Sequence, residues 1–337
     1  MKTKLDDIRM AFIVSRGRSG STLIQSILDA HPNICAPIEA KFVLHLATRY
    51  SKTTKWNSKV IARFINDLYT NRKFRLFWDV SQKDLNSLFE RYEITSFSDA
   101  CKVVYLSHHS MFDKNAICLI VDKNPLYSIF IPSILAVFPE AKFVHLIRDA
   151  RAATYSHLAS LRQKNVPQLA QEWRILNKAI EGQKSNGLNC YTIQYEKLVH
   201  RPKVEFDRLF NFLDIPFTAD LLDAHETIRK KISKNKYLAL KHHQGIGQAI
   251  NIDQVNSWKT ELSTRNIKLI NSICQQLLKE YNYPIETKGT RSSLLIYFGE
   301  FRAKLKNWLL RRMFCLPFAL RSGIYNLASL ILDKKFK

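Results

Sequence analysis

The segment that most restricts the fold is Met10–Ser15 (MAFIVS), which runs straight into Arg16-Gly-Arg-Ser-Gly-Ser-Thr22 and then into a helical pattern over Ser21–Ala30. A short apolar run that ends in a polar, glycine-bearing turn reads as a strand buried on both faces. Leu23, Ile24, Ile27 and Leu28 share one helix face, and Pro32 cannot continue that helix. Strand, glycine loop and helix in this order open a parallel α/β sheet. Three more apolar runs extend the pattern: Ala116–Val121 (AICLIV), Phe143–Ile147 (FVHLI) and Cys190–Gln194 (CYTIQ). Helical patterns accompany them at Ser128–Phe138, Ala150–Leu161, Gln168–Gly182 and Val204–Leu213. The alternation predicts an α/β fold with a central, mainly parallel sheet and helices on both faces. Helical periodicity from Phe42 to Phe112, as in Ile61, Phe64, Ile65 and Leu68, marks a helical insertion over about 40–115. Ligands of such sheets bind beyond the carboxyl ends of the strands, so the loops after Ser15, Val121 and Ile147 are expected to converge.

The first of those loops has the chemistry of an anion site. Gly17 and Gly20 let the main chain wrap closely around a bound group. The helix start offers free amides and the positive end of its dipole. Ser19, Ser21 and Thr22 add hydroxyl donors, and Arg18 adds fixed charge. An ordinary capped turn is the plain alternative; two arginines and three hydroxyls behind a buried strand weigh against it. Set against G-x-x-x-x-G-K-[ST], Gly20 and Thr22 fit, Ser15 replaces the first glycine and Ser21 replaces the lysine. A cradle without the lysine that reaches the outer phosphates suits an anion other than a nucleoside triphosphate.

The 337 residues, 46% of them hydrophobic, suffice for one large α/β domain with an appendage. The division expected is a domain over 1–288 and a basic amphipathic helical extension over 289–337. A net charge of +23 attracts polyanions, or reflects a generally basic surface. Six scattered cysteines with no Cys-x-x-Cys pair suggest neither a zinc site nor a disulfide framework, and fit a reducing cytoplasm. The chain enters its first apolar run within ten residues, which is expected to leave no room for a signal peptide or anchor. No apolar run reaches the roughly 18–20 residues that a spanning helix needs.

Five stretches, in order, resemble the sulfotransferases that use 3′-phosphoadenosine 5′-phosphosulfate (PAPS), and within them the tyrosylprotein-sulfotransferase-like branch and its bacterial relatives. They are Arg18-Ser-Gly-Ser-Thr-Leu through Leu28-Asp-Ala-His-Pro-Asn33 to Glu39; Asp122-Lys-Asn-Pro125 with Phe138-Pro-Glu-Ala-Lys-Phe143; Ile147-Arg-Asp-Ala-Arg-Ala-Ala-Thr-Tyr-Ser156; Tyr195-Glu-Lys-Leu-Val199 into Phe212-Leu-Asp-Ile-Pro216; and, more weakly, Asn251 to Trp258. The resemblance implies a P-loop-like sulfotransferase fold, PAPS as donor, no metal, and a hydroxyl acceptor on a glycan, lipid or peptide. It places Arg18, Ser19, Gly20, Ser21 and Thr22 on the 5′-phosphosulfate, and Arg148 and Ser156 on the 3′-phosphate. It puts Tyr195 against the nucleotide, Lys123 by the sulfuryl group, and Glu39 in the role of catalytic carboxylate. Where such enzymes carry a basic residue over the nucleotide in the distal segment, this chain has Gln248, which leaves Lys241, Lys259 or another basic residue to substitute.

By itself Glu39 also fits a solvated surface carboxylate. His31 fits a helix cap, His145 a core histidine, and the pairs His108-His109 and His242-His243 lack metal-ligand spacing. Residues 288–337 hold 11 Lys/Arg against 2 Asp/Glu, with apolar residues at Leu294, Phe298, Phe301, Leu305, Trp308 and Leu309. That pattern fits a peripheral element on an anionic membrane, a helix pair docked on the domain, or a homodimer contact. Two other functions stay open. Asp122 after a buried strand fits a magnesium-binding acid of an ATP-dependent kinase. The net charge fits a non-catalytic basic module, although no nucleic-acid motif is present and no nucleic-acid partner is expected.

Overall fold

The computed structural model describes residues 3–160, 165–231, 247–248, 250–252, 255–285, 287 and 293–324. Five parallel strands form one sheet: β1 (Arg9–Ser15), β2 (Ile34–Cys35), β3 (Leu119–Lys123), β4 (Lys142–Ile147) and β5 (Cys190–Gln194), in the order β2-β3-β1-β4-β5. β1 pairs Ala11 with Val121 on one side and with Lys142 on the other. The chain passes from β1 to the β3 side and then returns to the β4 side. This makes the carboxyl end of β1 a topological switch point.

Period-two alternation divides the sheet residues between two cores. Met10, Phe12 and Val14 face one cluster with Phe143, while Ala11 and Ile13 face another with Val121, Val144 and Leu146. α1 (Ser21–Ala30), α10 (Tyr195–His200), α11 (Pro202–Phe212) and α12 (Ala224–Lys231) border the second cluster. The first is extended by the insertion α2 (Phe42–Tyr50), α3 (Ser58–Leu68), α4 (Arg72–Phe77), α5 (Gln82–Arg91) and α6 (Phe97–Leu106). Asparagine and serine side chains cap these helices: Asn57, Asn71 and Ser81 each accept from the first turn, and Ser96 with Asp99 forms a capping box. A third cluster joins α8 (Ala150–Ser160), α9 (Val166–Ser185), α13 (Trp258–Glu261) and α14 (Thr264–Glu280). α15 (Ser293–Cys315) then runs along α9.

Several ends shift by a few residues, as in α9, which runs Val166–Ser185 instead of Gln168–Gly182, and three elements differ more. β2 was not anticipated: its two residues pair with Leu119 and Ile120 of β3 and carry no periodicity to read. β3 starts at Leu119 instead of Ala116 and runs on through Asp122 to Lys123, so Lys123 is itself a strand residue. The helix expected over Ser128–Phe138 is a 3-10 turn, Pro125–Ile129, and the five-residue α7 (Ile131–Leu135), with a proline at the first position of one and the second of the other.

Candidate functional site

The site is built on the carboxyl ends of β1, β3, β4 and β5. After Ser15 the chain turns Arg16 inward, only 2% exposed, toward Glu172 of α9 at 3.6 Å and against the ring of His157 on α8. Burial lowers the Arg16 pKa to about 10 even with the charge of Glu172 opposing, so it remains a cation at neutral pH. Burial, reinforced by Arg16, holds the His157 imidazole down at about 3, hence neutral. The Ser19 hydroxyl donates back to the Arg16 carbonyl at 2.6 Å and closes the loop. Arg18 sits at φ 74 and Gly20 at φ 92, both left-handed. A β-carbon on Gly20 would lie inside the Tyr195 ring contact, so both the backbone angle and the close approach require glycine there. Gly20 leads into α1 with no side-chain cap; the Leu23 amide already donates to the Gly20 carbonyl at 3.0 Å, and the amides before it are of the kind that a helix start leaves without an intrahelical partner.

Two further strand ends close on this loop. Arg148 follows β4; its Nη1 donates to the Arg18 carbonyl at 3.3 Å, and its guanidinium lies 4.4 Å from the centre of the Tyr195 ring. Ser156, two turns into α8, accepts from Arg18 Nε at 3.3 Å. The Arg148 main chain is fixed by Trp173, whose Nε1 donates to its carbonyl at 2.9 Å. Asp149 and Arg151 form a buried two-contact pair at 2.8 and 2.6 Å beside it. Thus Arg18, Gly20, Arg148, Ser156 and Tyr195 meet in one place. The Arg18 pKa is lowered, first by burial and then by the charge of Arg148. An anion between the two guanidinium groups would relieve that repulsion.

A second wall carries the carboxylate. Glu39 lies between β2 and α2 and is gripped from both sides: Lys123 Nζ is 2.6 Å from Oε1, and Lys73 Nζ of α4 is 2.9 Å from Oε2. Lys123 also reaches the Thr22 hydroxyl at 3.5 Å, which ties this wall to the start of α1. Burial by itself would raise the Glu39 pKa; the charge of Lys123, then of Lys73, outweighs it and holds the carboxyl well below the usual range. Ser21 is buried at the first position of α1.

Lys73, Arg16 and His157 were not among the residues singled out as site candidates. Lys73 stands in an Arg/Lys-rich helix with no motif around it; the only signal was the Asn71 cap that orients the helix. Asp122 turns away from the rim. It is 1% exposed, accepts from Tyr105 Oη at 2.5 Å and from Asn124 Nδ2 at 2.7 Å, and burial pushes its pKa up to about 7. A carboxyl engaged in this way braces the end of β3 and is poorly placed to hold magnesium. His145 is a bonded core histidine, with Nε2 2.8 Å from Asn177 Oδ1, and the His31 ring accepts from the Asn33 amide at the end of α1. His108 is half-buried, and the desolvation of its ring lowers its pKa to about 4. Gln248 is exposed, and the Lys259 ammonium lies 5.9 Å from the Trp258 ring centre; Lys241, His242 and His243 lie outside the described residues.

A family profile described as "Sulfotransferase family" matches residues 11–219, which contain all of the loops just described. The chain belongs to the sulfotransferase family. It is 22% identical over 262 residues to protein-tyrosine sulfotransferase 1 of Danio rerio, covering 75% of this chain and 66% of that protein. It is 24% identical over 259 residues to protein-tyrosine sulfotransferase A of Caenorhabditis elegans, covering 73% and 60%. The chain thus spans about two thirds or less of those two relatives. Among solved structures it is similar to the sulfotransferase domain of the Synechococcus PCC 7002 olefin synthase, at TM-score 0.57 and 19% identity, over 85% of this chain and 99% of that one. The fold is the P-loop-like one of sulfotransferases.

Proposed function

We propose that this sulfotransferase moves the sulfuryl group of PAPS to an acceptor hydroxyl. The observation that carries the reading is the convergence of Arg18, Arg148, Ser156 and Tyr195 on an uncapped helix start whose loop lacks the triphosphate lysine. Arg148 and Ser156 hold the 3′-phosphate, and the loop from Arg18 to Thr22 holds the 5′-phosphosulfate. Lys123 stands at the sulfuryl oxygens. In an in-line transfer the acceptor oxygen forms a bond to sulfur as the bond from sulfur to the bridging oxygen breaks, and adenosine 3′,5′-bisphosphate leaves. Charge grows on the leaving phosphate, where the loop amides and Arg18 stabilise it. The acceptor proton goes to Glu39. A carboxylate paired with two lysines is a weak base, so the acceptor hydroxyl must replace one of them before it can be deprotonated.

The acceptor hydroxyl sits on tyrosine, a glycan or a lipid. The curated relatives named as protein-tyrosine sulfotransferases favour the first; the exposed apolar face of α15 favours a lipid surface. Six unpaired cysteines accord with the cytoplasm. Among the described residues, no helix is long and apolar enough to cross a membrane. Calorimetry with adenosine 3′,5′-bisphosphate and adenosine 5′-phosphate tests the donor assignment. The bisphosphate is expected to bind more tightly, with the difference removed in Arg148→Ala. Equal affinity of the wild type for both nucleotides contradicts the reading.

A further inference from the structure

α15 has two apolar faces, and among the described residues only one of them is covered. On the inner face Ala303 and Phe314 are buried, and Gly299 comes so close to α9 that a β-carbon would stand 2.6 Å from Pro167. Lys306 to Glu172 at 2.8 Å and Arg174 to Glu300 at 3.1 Å fasten the same side. On the outer face Leu294 is 81% exposed, Tyr297 68%, Phe298 67%, Phe301 63% and Trp308 53%. At about 100° per residue these positions, with Leu305 and Leu309, occupy one sector roughly 120° wide. Arg302 and Lys306 border that sector on one side, and Lys304 and Arg311 on the other. Arg312 stands within it, 5.6 Å from the centre of the Trp308 ring. Leu320 and Ile324, just beyond the helix, add further exposed apolar surface.

A contiguous aromatic and aliphatic stripe of this kind marks a contact surface. Its margins decide between occupants. α15 carries five Lys/Arg against one glutamate, and Glu300 is already paired with Arg174 and Lys304. Two copies mated through this face would set cation against cation. An anionic bilayer fits this surface: rings and leucines enter the boundary of the acyl chains, while Arg302 and Arg311 at the margins reach the phosphates. The docked side connects with the site. Lys306 holds Glu172, which faces Arg16 at the base of the anion loop. Lys41 feels the charges of Lys73, Glu39 and Lys306 together, so the basic margin of α15 continues into the cations around Glu39.

We propose that the outer face of α15 docks on an anionic lipid surface and so delivers the transfer site to a hydroxyl presented at that surface. The second half of this statement rests on the sulfuryl-transfer reading; the first does not.

Flotation of the full chain with neutral phosphatidylcholine vesicles, and with vesicles containing phosphatidylglycerol, tests it. Binding is expected to the anionic vesicles at low salt, to fall with rising salt, and to drop about tenfold or more in Phe301→Asp/Trp308→Asp. Arg302→Glu/Arg311→Glu is expected to lose most of the dependence on phosphatidylglycerol. Brominated acyl chains are expected to quench a part of the tryptophan emission that is missing in Trp308→Phe. Calorimetry with adenosine 3′,5′-bisphosphate runs alongside on every variant. Unchanged nucleotide affinity shows that the variants are folded; no nucleotide binding even in the wild type refutes the transfer reading and leaves the flotation result to decide docking. No flotation of nucleotide-competent protein with anionic vesicles at low salt overturns the proposal. So does a dimer in vesicle-free sedimentation that Phe301→Asp/Trp308→Asp dissolves.

Discussion

The two walls of the site are built differently. The wall proposed for the nucleotide rests on strand ends: Arg18 follows β1, Arg148 follows β4, Tyr195 follows β5, and each touches another by side chain or carbonyl. The sheet register fixes these positions, and buried partners such as Trp173 and the Asp149–Arg151 pair hold them. The carboxylate wall joins a strand residue, Lys123, to a turn residue, Glu39, and to Lys73 from an inserted helix. One wall sets two guanidinium groups, Arg18 and Arg148, side by side. The other is a compensated ion cluster, which on the proposed mechanism opens for the acceptor. Changes in the first are therefore expected to appear in nucleotide affinity, and changes in the second in turnover and its pH dependence.

The largest expected separation comes from Glu39→Gln. Turnover with an alkyl alcohol is expected to fall roughly 10²–10⁴-fold, the usual contribution of a placed base, with PAPS affinity nearly unchanged. A nitrophenol acceptor, which sheds its proton readily, is expected to lose less. Near-normal turnover of the alcohol removes Glu39 as base, and collapsed PAPS affinity moves it to the nucleotide wall. Gly20→Ala strikes the opposite wall. Its β-carbon meets the Tyr195 ring at a left-handed backbone angle, so about 1–3 kcal/mol of strain is expected, with loss of nucleotide binding read by calorimetry and by a lower Tm. Arg148→Ala is expected to weaken adenosine 3′,5′-bisphosphate binding by about 1.5–3 kcal/mol and adenosine 5′-phosphate binding much less. Equal losses detach Arg148 from the 3′-phosphate.

The smallest effect is the most diagnostic of the ion cluster. The Glu39 pKa is depressed, so the carboxylate is present at neutral pH and activity is lost only as the pH falls through the folded value. Lys73→Met removes one of the two ammonium groups and leaves burial in place. The folded pKa therefore rises, and the acid limb of the rate profile is expected to move to higher pH. A profile that does not move shows that Glu39 does not control that limb.

The nucleotide wall was the legible one. A six-residue apolar run followed by glycines, hydroxyls and arginines announces a buried strand and a glycine turn into a helix before any pairing is known, because both follow from local sequence. Arg148 and Ser156 come from one strand–helix unit, eight residues apart. The carboxylate wall depends on packing at a distance. Lys73 reaches Glu39 only because α4 is placed by Phe74 in the core cluster of the insertion, and nothing near Lys73 in sequence announces that contact. β2 stayed hidden for the same reason: two residues become a strand only beside Leu119 and Ile120. The weak overall amphipathicity of α15 also has a physical cause. Its two apolar faces oppose one another, so the pattern was readable as a membrane element, a docked helix pair or a dimer contact; among the described residues one face is docked and the other exposed.

The central claim is tested most directly by incubating the purified chain with PAPS labelled in its sulfuryl group and a panel of tyrosine peptides, glycans and hydroxyl-bearing lipids in anionic vesicles. The account predicts label on an acceptor, stoichiometric release of adenosine 3′,5′-bisphosphate, and loss of both in Arg18→Ala/Arg148→Ala. A chain that binds PAPS no better than that double variant, or that turns over ATP with magnesium and leaves PAPS intact, would contradict it.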